Sequence, residues 1–93
     1  MIKSFKNKES ETFYITGKSK KLPLNIQKVA LRKLDYLNGA NTLDDLKVPP
    51  ANRLEKLQGD LKKYYSIRIN KQFRVIFKFE DSNAYDVSIV DYH

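Results

Sequence analysis

The clearest helical pattern lies between residues 24 and 39, where apolar side chains recur every three or four positions. This spacing places one stripe of a helix against a core, and its members are Ile26, Val29, Ala30, Leu34 and Leu37. Pro23 suits the first turn of that helix, and Asn38-Gly39 suits its end. Residues 8–16 predict a shorter helix that stops at Gly17, because glycine readily adopts the left-handed conformation.

Alternating apolar and polar positions dominate the second half of the chain and predict an antiparallel meander. Strands are expected over residues 63–69, 72–79 and 84–92, with turns at Asn70-Lys71 and at residues 80–83. The positions expected to face the core are Tyr65, Ile67, Ile69, Phe73, Val75, Phe77, Phe79, Tyr85, Val87 and Ile89. Residues 1–6 also alternate, with Ile2 and Phe5 inward, and predict another short strand. The pattern predicts an α+β fold with two helices on one face of the sheet.

Residues 40–52 show no periodic pattern and predict a long connector, whose Pro49-Pro50 pair makes its end extended and stiff. Connectors of this length are often functional in a compact domain. A chain of 93 residues predicts a single domain over residues 1–93. No apolar run approaches the roughly 20 residues of a membrane span, and the first residues lack a signal-peptide core, so we expect a cytoplasmic protein. The absence of cysteine excludes a disulfide framework.

Charge is distributed unevenly along the chain. Residues 80–93 contain four acidic side chains and no Lys or Arg, so the other 79 residues carry 18 basic and seven acidic side chains, a formal +11. The face of the sheet turned away from the helices would gather Tyr64, Ser66, Arg68, Arg74, Lys78 and Tyr92. Cations interleaved with aromatic rings suit RNA, because cations meet phosphates and rings stack on unpaired bases. The alternative is an ordinary solvated sheet face.

Four segments carry a resemblance to a known family, at residues 1–6, 54–60, 73–79 and 91–93. They read Met-Ile-Lys-Ser-Phe-Lys, Leu-Glu-Lys-Leu-Gln-Gly-Asp, Phe-Arg-Val-Ile-Phe-Lys-Phe and Asp-Tyr-His. Together, and in this order and spacing, they resemble the HigB-type toxins of the RelE/ParE superfamily over the whole chain. The resemblance implies a RelE-like fold, with two N-terminal helices packed on a twisted antiparallel sheet. It also implies a metal-independent, ribosome-dependent mRNA endoribonuclease that needs no cofactor. The implied partner is a HigA-type antitoxin, and only that antitoxin would contact operator DNA.

The resemblance places the family's terminal acid, tyrosine and histidine on Asp91, Tyr92 and His93, and its strand arginine on Arg74. The loop departs from the family, since Glu55 stands where other members carry histidine. In addition, Gln58 replaces a lysine and Leu61 replaces an arginine. Three polar positions of the family's loop are therefore changed in this sequence.

Metal-free cleavage of RNA by its own 2′-hydroxyl needs a base, a cation on the phosphate and an acid for the leaving oxygen. His93 has the intrinsic pKa range for proton transfer near neutrality, unless it is only a frayed terminus. Arg74 would hold phosphate charge, unless it is a surface cation paired with a carboxylate. Tyr92 would stack on a base, or would only pack within its strand. Asp91 would orient His93, although strict strand alternation points the Asp91 side chain away from that of Tyr92. Glu55 would act as the base or be an ordinary loop charge.

The residues expected to bind RNA are Lys56, Arg68, Lys78 and Tyr64. Two further functions stay open on sequence alone. One is a RelE-fold toxin without nuclease activity, of the gyrase-inhibiting ParE kind, which the changed loop favours and the terminal Asp-Tyr-His disfavours. The other is a non-catalytic RNA-binding module, which the adjacent reading frame would test, since an encoded antitoxin counts against it.

Overall fold

The computed structural model describes residues 1–91, and its main elements are two α-helices followed by four strands, with short 3₁₀ turns between them. These are α1 (Lys8–Thr16), α2 (Leu24–Gly39), β1 (Glu55–Lys56), β2 (Tyr65–Arg68), β3 (Phe73–Glu80) and β4 (Asn83–Asp91). The strands form one antiparallel sheet in the order β1-β2-β3-β4. The predicted α+β architecture is confirmed. Within residues 1–91, no helix is long and apolar enough to cross a membrane.

Both helices begin and end where their sequences predict. The Asn7 side chain accepts a hydrogen bond from the Ser10 amide at the start of α1. Gly17 adopts φ 75° and donates its backbone N–H to the Phe13 carbonyl, which ends that helix. Helix α2 follows Pro23 and ends at Gly39. These local signals require no tertiary contact, which is why the sequence reveals them.

The main core lies between the helices and one face of the sheet. Helix α1 packs against β4, and α2 packs against β3 and β4. The fully or nearly fully buried residues of this core include Phe13, Ile26, Ala30, Leu34, Leu37, Ile67, Val75, Phe77 and Val87. The apolar stripe of α2 and the inward positions of β2 and β3 therefore meet as predicted, with Val29 and Tyr65 at the margin.

The first six residues are not a strand, contrary to the prediction. Ile2 and Phe5 form isolated parallel bridges to Ala84 and Val87. Between these bridges the Asp86 amide donates to Ser4 Oγ instead of to a backbone carbonyl. The ladder is therefore interrupted, although Ile2 and Phe5 do pack against the core.

A β-bulge at Asp86 explains both this interruption and a wrong assignment in β4. Asp86 has φ 51°, and the pairing of β3 with β4 shifts between Ile76 and Lys78. Tyr85 pairs with Lys78 on the outer face, while Ala84, fully buried, takes the core position opposite Phe79. Tyr85 was predicted to face inward, and the extra residue of the bulge reverses its side.

The outer face of the sheet, turned away from the helices, is partly buried rather than open. Ser66 is 0% exposed, Ile76 3% and Arg74 8%, whereas strand alternation alone suggests that this side of the sheet is open. Strand β1, which lacks a recognisable pattern, adds an edge to this face by pairing Glu55 with Ser66. Leu57, which follows β1, is 5% exposed yet lies outside the helix-side core. The outer face therefore has a buried centre with charged residues at its two ends.

Candidate functional site

Arg74 is the most enclosed charged residue on the outer face. It sits on β3 between Arg68 of β2 and Val90 of β4. Its Nη2 donates a hydrogen bond of 2.6 Å to the backbone carbonyl of Arg53. A guanidinium held in this way loses little rotamer freedom when it binds an anion, because its direction is already fixed.

Glu55 is an acidic neighbour of Arg74. Its Oε1 lies 3.7 Å from Arg74 Nη1, and the Glu55 side chain is 52% exposed against 10% for Arg74. The two residues lie at the edge of a depression of about 250 Å³, lined by Arg53, Glu55, Arg68, Asn70, Lys71 and Arg74. The structure therefore brings together two of the predicted catalytic residues in a mainly cationic surround.

The carbonyl that holds Arg74 depends on the connector between α2 and β1. Arg53 has φ 45°, a left-handed conformation that a non-glycine residue seldom adopts. It follows a 3₁₀ turn, Pro50–Asn52, in which Asn52 is completely buried. Asn52 Nδ2 donates to the carbonyls of Leu46 and Val48, at 3.1 and 3.4 Å. The length of the connector and its Pro-Pro pair indicate a functional segment, but nothing in the sequence singles out Arg53 or Asn52.

Lys33 of α2 fixes the other side of Asn52. Its Nζ donates a 2.6 Å hydrogen bond to Asn52 Oδ1, and the residue is only 4% exposed. Burial, with a smaller contribution from the neighbouring Arg32 charge, lowers the pKa of Lys33. Loss of this hydrogen bond would leave a buried ammonium without its acceptor, which is costly. The contact therefore ties α2 to the connector.

A second charged group surrounds Tyr64 at the other end of the outer face. The ammonium groups of Lys6 and Lys78 lie 5.3 and 5.2 Å from the centre of the Tyr64 ring. Lys78 also lies 3.3 Å from the Asp86 carboxylate. Because Arg74 and Lys78 are four residues apart on β3, the two groups are separated by roughly 13 Å. Three of the four predicted RNA-binding residues therefore divide between the two ends of the outer face, with Arg68 at the Arg74 end and Tyr64 and Lys78 at the other.

The remaining predicted site residues fall elsewhere or lie outside the described chain. Lys56 pairs with Tyr65, so its register places it on the side opposite to Glu55. Asp91 pairs with Phe73 on the helix side, and its Oδ2 accepts a 2.9 Å hydrogen bond from Gln72 Nε2. The structure does not bring Lys56 or Asp91 into the Arg74 depression. Tyr92 and His93 lie outside the described residues.

Comparison with known proteins gives consistent matches along the chain. A family model described as a RelE-like toxin of the type II toxin–antitoxin system HigB matches residues 3–93. The chain is 45% identical over 85 residues to Toxin HigB-1 of Vibrio cholerae, covering 90% of each protein. It is 29% identical over 93 residues to Endoribonuclease HigB of Proteus vulgaris, covering 100% of both.

A solved structure with the same fold comes from Staphylococcus aureus, in a heterotetrameric complex of the YoeB–YefM toxin–antitoxin pair. Its matching chain superposes with a TM-score of 0.58 and 21% identity, covering 100% of this chain and 98% of that one. At this level of identity the likeness concerns the fold, and the RelE-like arrangement expected from the sequence is confirmed.

Proposed function

The chain belongs to the HigB-like family of RelE-like toxins from type II toxin–antitoxin systems, and on that premise we propose that it is an endoribonuclease that cleaves mRNA on the ribosome. The observation that carries this proposal is the enclosed Arg74 guanidinium beside Glu55 in a cationic depression. Cleavage of RNA develops negative charge on the phosphate, and a preorganised guanidinium stabilises that charge. The name of the Proteus vulgaris relative supports the same chemistry.

The proposed reaction uses the RNA's own 2′-hydroxyl. Its oxygen forms a bond to the adjacent phosphorus as its proton passes to a base, and the bond from phosphorus to the 5′-oxygen breaks as that oxygen receives a proton. Arg74 holds the phosphate oxygens, and His93 supplies or accepts a proton. Glu55, only 3.7 Å from Arg74 and half exposed, is proposed as the base. No metal ion has a step in this scheme.

The other predicted residues keep supporting roles. Tyr92 is proposed to stack on a base, and Asp91 to orient the chain terminus that carries His93. Arg68 lines the Arg74 depression and is proposed to contact RNA there, whereas Lys78 and Tyr64 would contact it at the far end of the outer face. Lys56, on the opposite side of β1 from Glu55, would meet phosphates only at the sheet edge.

The proposed partner is a HigA-type antitoxin that binds the free toxin and alone contacts operator DNA. The Staphylococcus aureus YoeB chain occurs in complex with YefM, which shows that this fold accommodates an antitoxin. We further propose that the chain acts as a single cytoplasmic domain, since its targets, ribosomes and mRNA, lie in that compartment.

Expression of the chain alone tests this function. We expect growth arrest with new 5′ ends in cellular mRNA, and recovery of growth when the neighbouring antitoxin is co-expressed. His93→Ala and Arg74→Lys should each reduce cleavage by about 100-fold or more, because proton transfer or the two-pronged phosphate contact is lost. Arg74→Lys is chosen because it keeps a buried positive charge and leaves no large cavity.

Lys28→Ala, an exposed change on α2, serves as the control and should remain toxic. Thermal melts should show all variants folded. Normal growth with soluble full-length chain would refute the toxin assignment. Growth arrest without new mRNA ends would refute the nuclease and support the gyrase-inhibiting alternative.

A further inference from the structure

A larger depression opens beside the one that contains Arg74. It has a volume of about 430 Å³ and lies between α2 and the turn that joins β2 to β3, lined by Val29, Arg32, Lys33, Ala51, Arg53, Arg68, Ile69 and Asn70. Arg53, Arg68 and Asn70 line both depressions. The two depressions therefore adjoin each other at these shared residues, and we refer to them together as the basic groove.

The cations of the basic groove have no acidic partners outside the Arg74 site. Of the residues described here, Arg32, Lys33, Arg53 and Arg68 have no carboxylate within 4 Å. Among residues 1–91, no acidic side chain lines the larger depression, and Glu55 is the acidic side chain that lines the smaller one. Clustered cations without counterions concentrate field lines in a concave surface and attract an anion. The groove cations therefore differ from Lys8 on α1, which is paired with the Glu11 carboxylate.

The enclosed position of Lys33 adds a second reason to expect an anion. Its ammonium is nearly buried, and its two contacts, a hydrogen bond to Asn52 Oδ1 and the Tyr36 ring centred 5.7 Å away, supply no opposite formal charge. Arg32, the preceding residue on α2, adds a like charge that lowers the pKa of Lys33 further. An anion placed in the groove would offset the burial cost and the repulsion together.

The chemistry of the walls favours a nucleotide chain over a free small anion. Val29 and Ile69 contribute apolar surface between the cationic side chains. A sugar–phosphate backbone presents apolar ribose carbons alternating with anionic phosphates, which matches such a wall. A strand whose phosphate lies at Arg74 would also have to continue past the site, and the larger depression adjoins the Arg74 depression at Arg53, Arg68 and Asn70.

We infer that the basic groove binds the sugar–phosphate backbone of single-stranded RNA next to the cleaved bond, with Arg32 and Lys33 as its far end. This inference rests on the proposed function for its ligand, but it assigns a separate site. Arg32 belongs to a helix that takes no part in the proposed chemistry.

The test measures binding without cleavage. Full-length chain is titrated into a fluorescein-labelled single-stranded RNA whose 2′-oxygens are methylated, so that no attack on phosphorus occurs, and the Kd is read from anisotropy. Arg32→Glu should weaken binding by about tenfold and lower the slope of log K against log salt. Lys28→Glu makes the same change in net charge one turn earlier on α2, outside the groove, and should weaken binding by no more than about twofold.

Equal losses for the two variants, or none for Arg32→Glu, would overturn the inference. Arg32→Gln repeats the test without introducing an acid, and urea unfolding confirms that each variant is folded. If Arg32→Glu leaves RNA binding intact but weakens binding of an oligo-aspartate peptide, the groove is a site for an acidic protein segment and the inference is again wrong. Because the RNA cannot be cleaved, binding and cleavage are tested separately. A parent chain that binds this RNA but cuts no mRNA would refute the proposed function without contradicting the inference about the groove.

Discussion

Arg74 shows how one side chain acquires a specific environment from distant parts of the chain. Its neighbours include a carbonyl from the connector and a carboxylate from an edge strand. Strand alternation predicts that Arg74 faces away from the helices, and it does. Alternation carries no information on burial of the outer face, which depends on where residues 53–57 cross the sheet. The left-handed Arg53 in particular has no signal in its sequence, since glycine and asparagine are the residues that usually mark this conformation.

Glu55 provides the sharpest prediction at the scale of one residue. If it is the base, Glu55→Ala should reduce mRNA cleavage about as much as His93→Ala, by roughly 100-fold, whereas Glu55→His should retain activity because imidazole also accepts a proton. Single-turnover cleavage on purified ribosomes measures both. A Glu55→Ala variant that cleaves at the parent rate, while His93→Ala is inactive, would mean that Glu55 pairs with Arg74 but transfers no proton. Asp44→Ala, at another exposed carboxylate paired with a cation, is the matched control.

At the scale of elements, the helices and the three long strands follow from local patterns, while their exceptions follow from tertiary structure. Strict alternation places Tyr85 in the core, but the bulge at Asp86 moves it to the other side. One inserted residue is invisible to a period of two, because the positions on either side of it remain alternating. Strand β1 has only two residues, too few to show any period, and pairing with β2 alone defines it.

The 3₁₀ turn that contains Asn52 is expected to be the most sensitive part of the connector. Asn52→Ala would leave the Lys33 ammonium and two backbone carbonyls without their present partner, so the free energy of unfolding should fall by roughly 2–4 kcal/mol. Urea denaturation measures this loss. Asn41→Ala, an exposed asparagine at the start of the same connector, should change stability by no more than about 0.5 kcal/mol. Similar small effects for both variants would show that Asn52 does not hold the connector.

At the scale of the whole molecule, charge is the property that sequence alone predicts best. Residues 1–79 carry a formal +11, and the groove and the Tyr64 group are both built from those residues. The acidic strand β4 partly offsets this charge on its own side, through the contact of Asp86 with Lys78. What composition cannot indicate is that the cations divide into two groups at opposite ends of one face.

Binding to ribosomes should accordingly depend strongly on salt. Each phosphate contact contributes a slope of about −0.7 to −0.9 in log K against log salt, so several contacts should lower affinity by orders of magnitude between low and moderate salt. Co-sedimentation with ribosomes across a salt series measures the slope. An affinity that stays constant over this range would exclude the cationic surfaces as the docking site.

The bridges between the first residues and β4 have a consequence for how the chain is made. Lys3 and Lys6 donate their amides to the carbonyls of Ala84 and Val87, joining the beginning of the chain to its last strand. Contacts across so long a stretch form late, because the intervening loop must close first. The nascent polypeptide therefore cannot complete this fold while its final strand is still inside the ribosome that synthesises it. A product truncated before residue 84 would leave β3 paired with β2 alone and its other edge open, and would be a substrate for proteases rather than a working protein.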